Sequence, residues 1–229
     1  MKQQTYTQFI QKAIDGFQPG EPILVRELGN RMAGAYGMDE KKAGAAAAVA
    51  IKRLIDANMC PNLRPFTKGI YYVTKDTVFG ETGIDREKLI ELKYLKDGIG
   101  YETGAAVMHR LGLTTLMPAE RTFVSNNAQH RAKRDDTLGI TVRAPRTPVN
   151  RENRFYLQFL DLLNMYDDVP VDAEDPYLLL GRYVQARDLD YGVLLHLADA
   201  HYNGNTIMKL AHVAGREDKY EKPKEAIEF

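Results

Sequence analysis

The eighteen residues between Asp39 and Asn58, EKKAGAAAAVAIKRLIDA, constrain this chain more than any other stretch. Alanine is the strongest helix former, so the run predicts a helix over about 39–57 that Gly44 does not end. Asp39 suits its start, because a carboxylate there accepts a backbone N–H and complements the positive helix end. Ala43, Ala47, Ala50, Leu54 and Ala57 recur at helical spacing and form the inner face. Lys41, Lys42, Ala45, Ala46, Val49, Lys52 and Arg53 lie mostly elsewhere. They mix small apolar groups with cations.

The surrounding pattern fits one plan. Thr5 precedes an amphipathic helix with Tyr6, Phe9, Ile10, Ala13, Ile14 and Phe17, stopped by Gly16 and Pro19-Gly20. Residues 22–25 are a short extended segment, and 25–35 a second helix broken by Gly34 and Gly37. After the alanine-rich helix come β segments at 63–66 and 70–74, joined by Thr67-Lys68-Gly69. Helix, short strand, helix, turn, helix and hairpin is the winged helix-turn-helix order. In that plan the third helix enters a DNA major groove and the hairpin lies near phosphates. Alanine or valine can touch a thymine methyl, while lysine and arginine reach phosphate or guanine. Arg64 and Lys68 add two phosphate candidates from the hairpin. The competing reading is a closely crossing helix with a solvated charged face, since winged helices also bind proteins.

Two segments, Ala48-Val49-Ala50-Ile51-Lys52-Arg53-Leu54-Ile55 and Lys68-Gly69-Ile70-Tyr71-Tyr72, together resemble the winged-helix domain of AbiEi-type antitoxins. Downstream, Gly100-Tyr101-Glu102-Thr103-Gly104-Ala105-Ala106 leads into His109-Arg110-Leu111-Gly112-Leu113-Thr114-Thr115. Then come Arg121-Thr122-Phe123-Val124-Ser125-Asn126-Asn127, a basic segment, and Gly139-Ile140-Thr141-Val142-Arg143. This order is similar to the same family, and the likeness covers roughly residues 5–165. The resemblance implies an N-terminal domain bound to its own promoter and a C-terminal domain that counters a nucleotidyltransferase-like toxin, directly or indirectly. The acidic helical tail after about Val169 departs from the family's commonest pattern.

The expected fold class is α+β. The expected domains are 1–80, a winged helix-turn-helix, and 81–229, α+β over 81–148 and helical over 150–216. In the second part Asp85 starts a helix through Leu95 that Asp97-Gly98 ends, and Thr103 starts another to Leu111. Strands at 121–125 and 137–143 flank a basic loop or hairpin end holding His130, Arg131, Lys133 and Arg134. That segment is a candidate contact for a partner or for nucleic acid, or else a solvated tip. Pro145 and Pro148 mark a linker, and Asn150 caps an apolar helix to Tyr166. Helices follow at about 176–186, 189–202 and 205–214, with a charged, frayed end from Lys219.

The charge is uneven along a neutral chain. Residues 1–80 carry 11 basic and 7 acidic groups, and residues 151–229 carry 9 and 15. A basic front and an acidic back suggest different partners. The partners expected are double-stranded DNA, with a homodimer on a two-fold operator, and the toxin. No apolar run nears the ~20 residues of a membrane span, and no secretory signal follows Met1-Lys2-Gln3-Gln4, so a cytoplasmic protein is expected. Catalytic chemistry finds no foothold. His196 and His201 stand off one helix face, and His109, His130 and His212 complete no metal pattern. Asp167-Asp168 and Asp188-x-Asp190 sit where aspartate caps helices. Cys60 lacks an activating neighbour. No phosphate loop or nucleophile elbow occurs. The expectation is a non-enzyme without cofactor or metal. The alternatives are a stand-alone regulator or a protein-interaction module.

Overall fold

A computed structural model describes residues 5–129 and 131–221, the side chains of 217–221 excepted. The chain is α+β and divides into two compact units after Ile90. His130, the first four residues and the final 222–229 lie outside the described residues.

The first unit runs α1 (Tyr6–Ile14), β1 (Pro22–Leu24), α2 (Val25–Tyr36), α3 (Glu40–Asp56), β2 (Leu63–Thr67) and β3 (Ile70–Val73). This is the order read from the sequence. Thr5 and Gln8 close a reciprocal capping box on α1. Gly37, at φ 62°, ends α2 in the left-handed conformation that glycine adopts without strain. Asp39 then accepts the Lys42 N–H at 3.1 Å and starts α3. β3 is the centre of a three-stranded antiparallel sheet, with Leu24 opposite Ile70 on one side and Leu63 opposite Val73 on the other. Ile10, Ile23, Leu28, Met32, Ile51 and Leu54 fill the core between helices and sheet.

On α3 the buried positions are Ala43, Ala47, Ala50, Ile51 and Leu54. Ala57, expected among them, is instead the exposed C-cap. The alanines let α2 approach to backbone contact. A Cβ on Gly29 would lie 2.7 Å from Gly44 Cα, closer than packed carbons tolerate. A Cβ on Gly44 itself would meet nothing within 4 Å. Gly29→Ala is therefore expected to cost about 1–3 kcal/mol by overpacking. Gly44→Ala should gain up to about 1 kcal/mol from helix propensity. Denaturant unfolding of the two variants checks this opposite pair. Equal effects would contradict the crossing.

Residues 76–90 belong to this unit, so it ends beyond the expected boundary at 80. A short hairpin, β4 (Asp76–Thr77) with β5 (Gly80–Glu81), follows the first one. Thr74 donates its hydroxyl to Thr82 O, and Lys88 reaches Glu21 at 2.8 Å. These bonds fasten the hairpin and α4 (Arg86–Ile90) to the sheet and to the loop before β1. The helix expected over 85–95 is α4 only; residues 91–95 form a π turn and 96–98 a 3-10 turn.

The second unit carries β6 (Gly100–Thr103), α5 (Ala105–Arg110), β7 (Arg121–Ser125), β8 (Lys133–Asp135) and β9 (Ile140–Arg143). It ends in α6 (Arg154–Asn164), α7 (Pro176–Ala186), α8 (Tyr191–His201) and α9 (Gly204–Glu221). Helix α9 runs past the expected 214, so 219–221 are helical rather than frayed. The sheet order is β6-β7-β9-β8. β7 and β9 are parallel, which corrects the expected loop or hairpin between them. The chain returns through β8, at the edge, and turns at Gly139 (φ 67°) to insert β9 between β7 and β8. Asn150 accepts the N–H groups of Glu152 and Asn153, so it caps the turn before α6 rather than α6 itself. Phe159, Leu160, Leu163, Leu180, Val184, Leu194 and Val213 close one core with the end of α5.

Among the described residues Asp161 is the most deeply buried charged side chain of this unit, 1% exposed in the middle of α6. Its Oδ2 accepts from Tyr101 Oη at 2.8 Å and from Arg143 Nη2 at 2.5 Å, and its Oδ1 from Tyr202 Oη at 3.0 Å. Burial pushes its carboxyl above the usual aspartate range, against the opposing pull of Arg143 and the two hydroxyls.

Candidate nucleic-acid interface

The core side of α3 fixes what its other side can present. Lys41, Lys42, Ala45, Ala48, Val49, Lys52 and Arg53 are all exposed. Val49 keeps 51% of its surface in water. Ala46 is the exception among the expected surface residues, because it is half-buried and packs on the core. The result is one helix face with small apolar groups at its middle and cations at both ends. Among the described residues, none of Lys41, Lys42, Lys52 and Arg53 forms an ion pair. Cations without a carboxylate partner release counterions when a polyanion binds.

The hairpin contributes one of its two expected cations. Lys68 is exposed at the β2–β3 turn and also unpaired. Gly69, at φ 76°, makes that turn tight, and its carbonyl accepts the Val25 N–H at 3.0 Å. The turn is thereby held against the first turn of α2, where Arg26 is exposed. Arg26 is a further exposed cation beside this turn, and it is not among those singled out from the sequence. Its only signal there was its place directly after β1. Arg64, the other phosphate candidate, is instead paired with an exposed carboxylate. Its guanidinium grips Glu81 at 2.7 and 3.2 Å and donates to Pro61 O at 2.6 Å. Hydrogen bonding from Arg64 in turn holds the Glu81 carboxyl below its usual range.

The second basic segment divides between the two faces of β8. Arg134 pairs with Asp136 at 3.1 Å and lies 3.9 Å from Glu120. Arg131 and Lys133 are exposed, and neither has an ion pair among the described residues. Lys133 shares its strand face with Asp135, which accepts from Lys93 Nζ at 2.6 Å and Tyr94 Oη at 2.8 Å. Burial works against the Asp135 carboxylate, but these two donors outweigh it and hold its pKa below the ordinary value. A cleft of about 470 Å³ opens along this face.

The other candidates serve the fold. Asp190 caps α8 through the Val193 N–H, and Asp167 holds Lys209 at 2.6 Å. His109 meets Thr114 O, and His212 packs on Tyr177. Cys60 is half-buried, and burial raises its thiol. Among the described residues no three His, Cys, Asp or Glu side chains stand together as a metal site. No described helix is long and apolar enough to cross a membrane. Compared with protein-family models the chain matches none, and compared with curated proteins it likewise matches none.

Proposed function

We propose that this chain is a DNA-binding transcriptional autorepressor of the AbiEi antitoxin type, acting in the cytoplasm. Its first unit is a winged helix-turn-helix. α2 and α3 are the helix-turn-helix, α3 enters the major groove, and the β2–β3 hairpin is the wing. Lys41, Lys42, Lys52 and Arg53 take phosphates or guanine, and Ala45 and Val49 face thymine methyls. Lys68 and Arg26 hold the backbone beside the wing. The observation that carries this reading is the exposed face of α3, with four unpaired cations around small apolar groups. Two copies on a two-fold operator double the cation count. The second unit counters a nucleotidyltransferase-like toxin, directly or indirectly, and the protein catalyses no reaction of its own.

One observation favours the interaction-module alternative. Val78 and Phe79, at the β4–β5 tip, are 93% and 97% exposed, as residues that seat in a partner protein often are. A reporter fused to the chain's own promoter separates the readings. Repression by the wild type, with loss of growth when an adjacent nucleotidyltransferase gene is expressed alone, is the expected result. An unrepressed reporter would overturn the DNA-binding half. A neighbouring toxin that the chain does not relieve would overturn the antitoxin half.

A further inference from the structure

The cleft beside β8 has walls of two kinds. Tyr94 and Val142 make an apolar side; the Tyr94 hydroxyl donates to Asp135, and Lys93 Nζ lies 4.9 Å from the ring centroid. Asn127 and Gln129 add two side-chain amides. Asn127 donates its Nδ2 to Lys93 O at 2.7 Å, and among the described residues its Oδ1 and the Gln129 amide have no partner. The charges of Asp135 and Asp136 are matched by Lys93 and Arg134. The charge left over is Lys133, with exposed Arg131 two residues before it. At about 470 Å³ the cleft falls in the ~300–1,000 Å³ range of small-molecule sites.

An aromatic wall, paired amide donors and acceptors, and unmatched cations at the rim are complementary to one ligand chemistry. A nucleobase stacks on aromatic rings and is read along its edge by donor–acceptor pairs. Its phosphate seeks an unpaired lysine or arginine. We propose that this cleft binds a nucleotide unit, its base against Tyr94 and Val142 within reach of Asn127 and Gln129, and its phosphate on Lys133. The unit is either a free mononucleotide or an unpaired nucleotide of a single strand. The site lies in the second unit and does not depend on duplex binding by α3.

The test is calorimetric titration of the full chain with the four nucleoside 5′-monophosphates, with short homopolymeric RNA strands, and with inorganic phosphate. Saturable binding of a nucleotide or a strand, at least about tenfold tighter than phosphate alone, is expected. Lys133→Glu, an exposed position whose fold circular dichroism can check, should weaken that binding about tenfold or more. A double variant of Lys52 and Arg53 to alanine should leave mononucleotide binding unchanged. Strands that bind much tighter than mononucleotides would identify single-stranded nucleic acid as the source, and equal affinities would identify the free nucleotide. No saturable binding, affinity no better than that of phosphate, or indifference to Lys133→Glu would each overturn the proposal.

Discussion

Asp161→Ala is expected to lower the unfolding free energy of the second unit by about 3–5 kcal/mol, the usual cost of removing one partner from a buried ion pair. The carboxylate neutralises Arg143 and accepts from two tyrosine hydroxyls. Alanine would leave a largely buried guanidinium and the buried Tyr101 hydroxyl without an acceptor, each costing about 1–3 kcal/mol, and would leave Tyr202 only its long 3.4 Å bond to Leu157 O. The groups come from β6, β9, α6 and the end of α8, so the loss falls on the joint between sheet and helices. Asp161→Asn keeps an oxygen for the tyrosines but not the charge for Arg143, and its cost should be smaller. Denaturant unfolding measures both. A loss below about 1 kcal/mol for the alanine variant would mean that the network contributes little.

The second large effect concerns binding. Lys52→Ala with Arg53→Ala should weaken operator binding by about 2–4 kcal/mol, and make the slope of log affinity against log salt shallower by nearly two. Both side chains are exposed on the last turns of α3 and pair with no carboxylate among the described residues, so their removal should leave the fold intact. Arg64→Ala is the contrast. Its charge is already committed to Glu81, so it should change affinity much less. If Arg64→Ala weakened binding as much as the double variant, the interface would lie along the hairpins rather than on α3.

The first unit was legible because its signals are local. The alanine run, the Asp39 cap, Gly37 and the Lys68-Gly69 turn each act within a few residues, and the order of elements follows from them. The misreadings share a cause, which is pairing at long sequence distance. Lys133-Arg134-Asp135 has no apolar alternation, yet it is a strand because Ile140–Arg143 pairs with it at the sheet edge. Arg64 reads as a free cation until Glu81, seventeen positions away, is brought to it. Gly29 reads as an ordinary helix glycine until the backbone of Gly44 is found against it. Asp161 did leave a trace, as the lone acid in the apolar stretch RFYLQFLDLLN, but its three partners come from segments that the pattern does not join.

The central claim is that the exposed face of α3 binds duplex DNA. The measurement that tests it most directly is the affinity of the purified chain for the DNA upstream of its own gene, against a scrambled duplex, titrated with salt. Six cations per chain, the four on α3 with Lys68 and Arg26, predict preference for the upstream sequence and a log–log salt slope of about −5. Equal affinity for both duplexes, or binding that salt leaves unchanged, would contradict it.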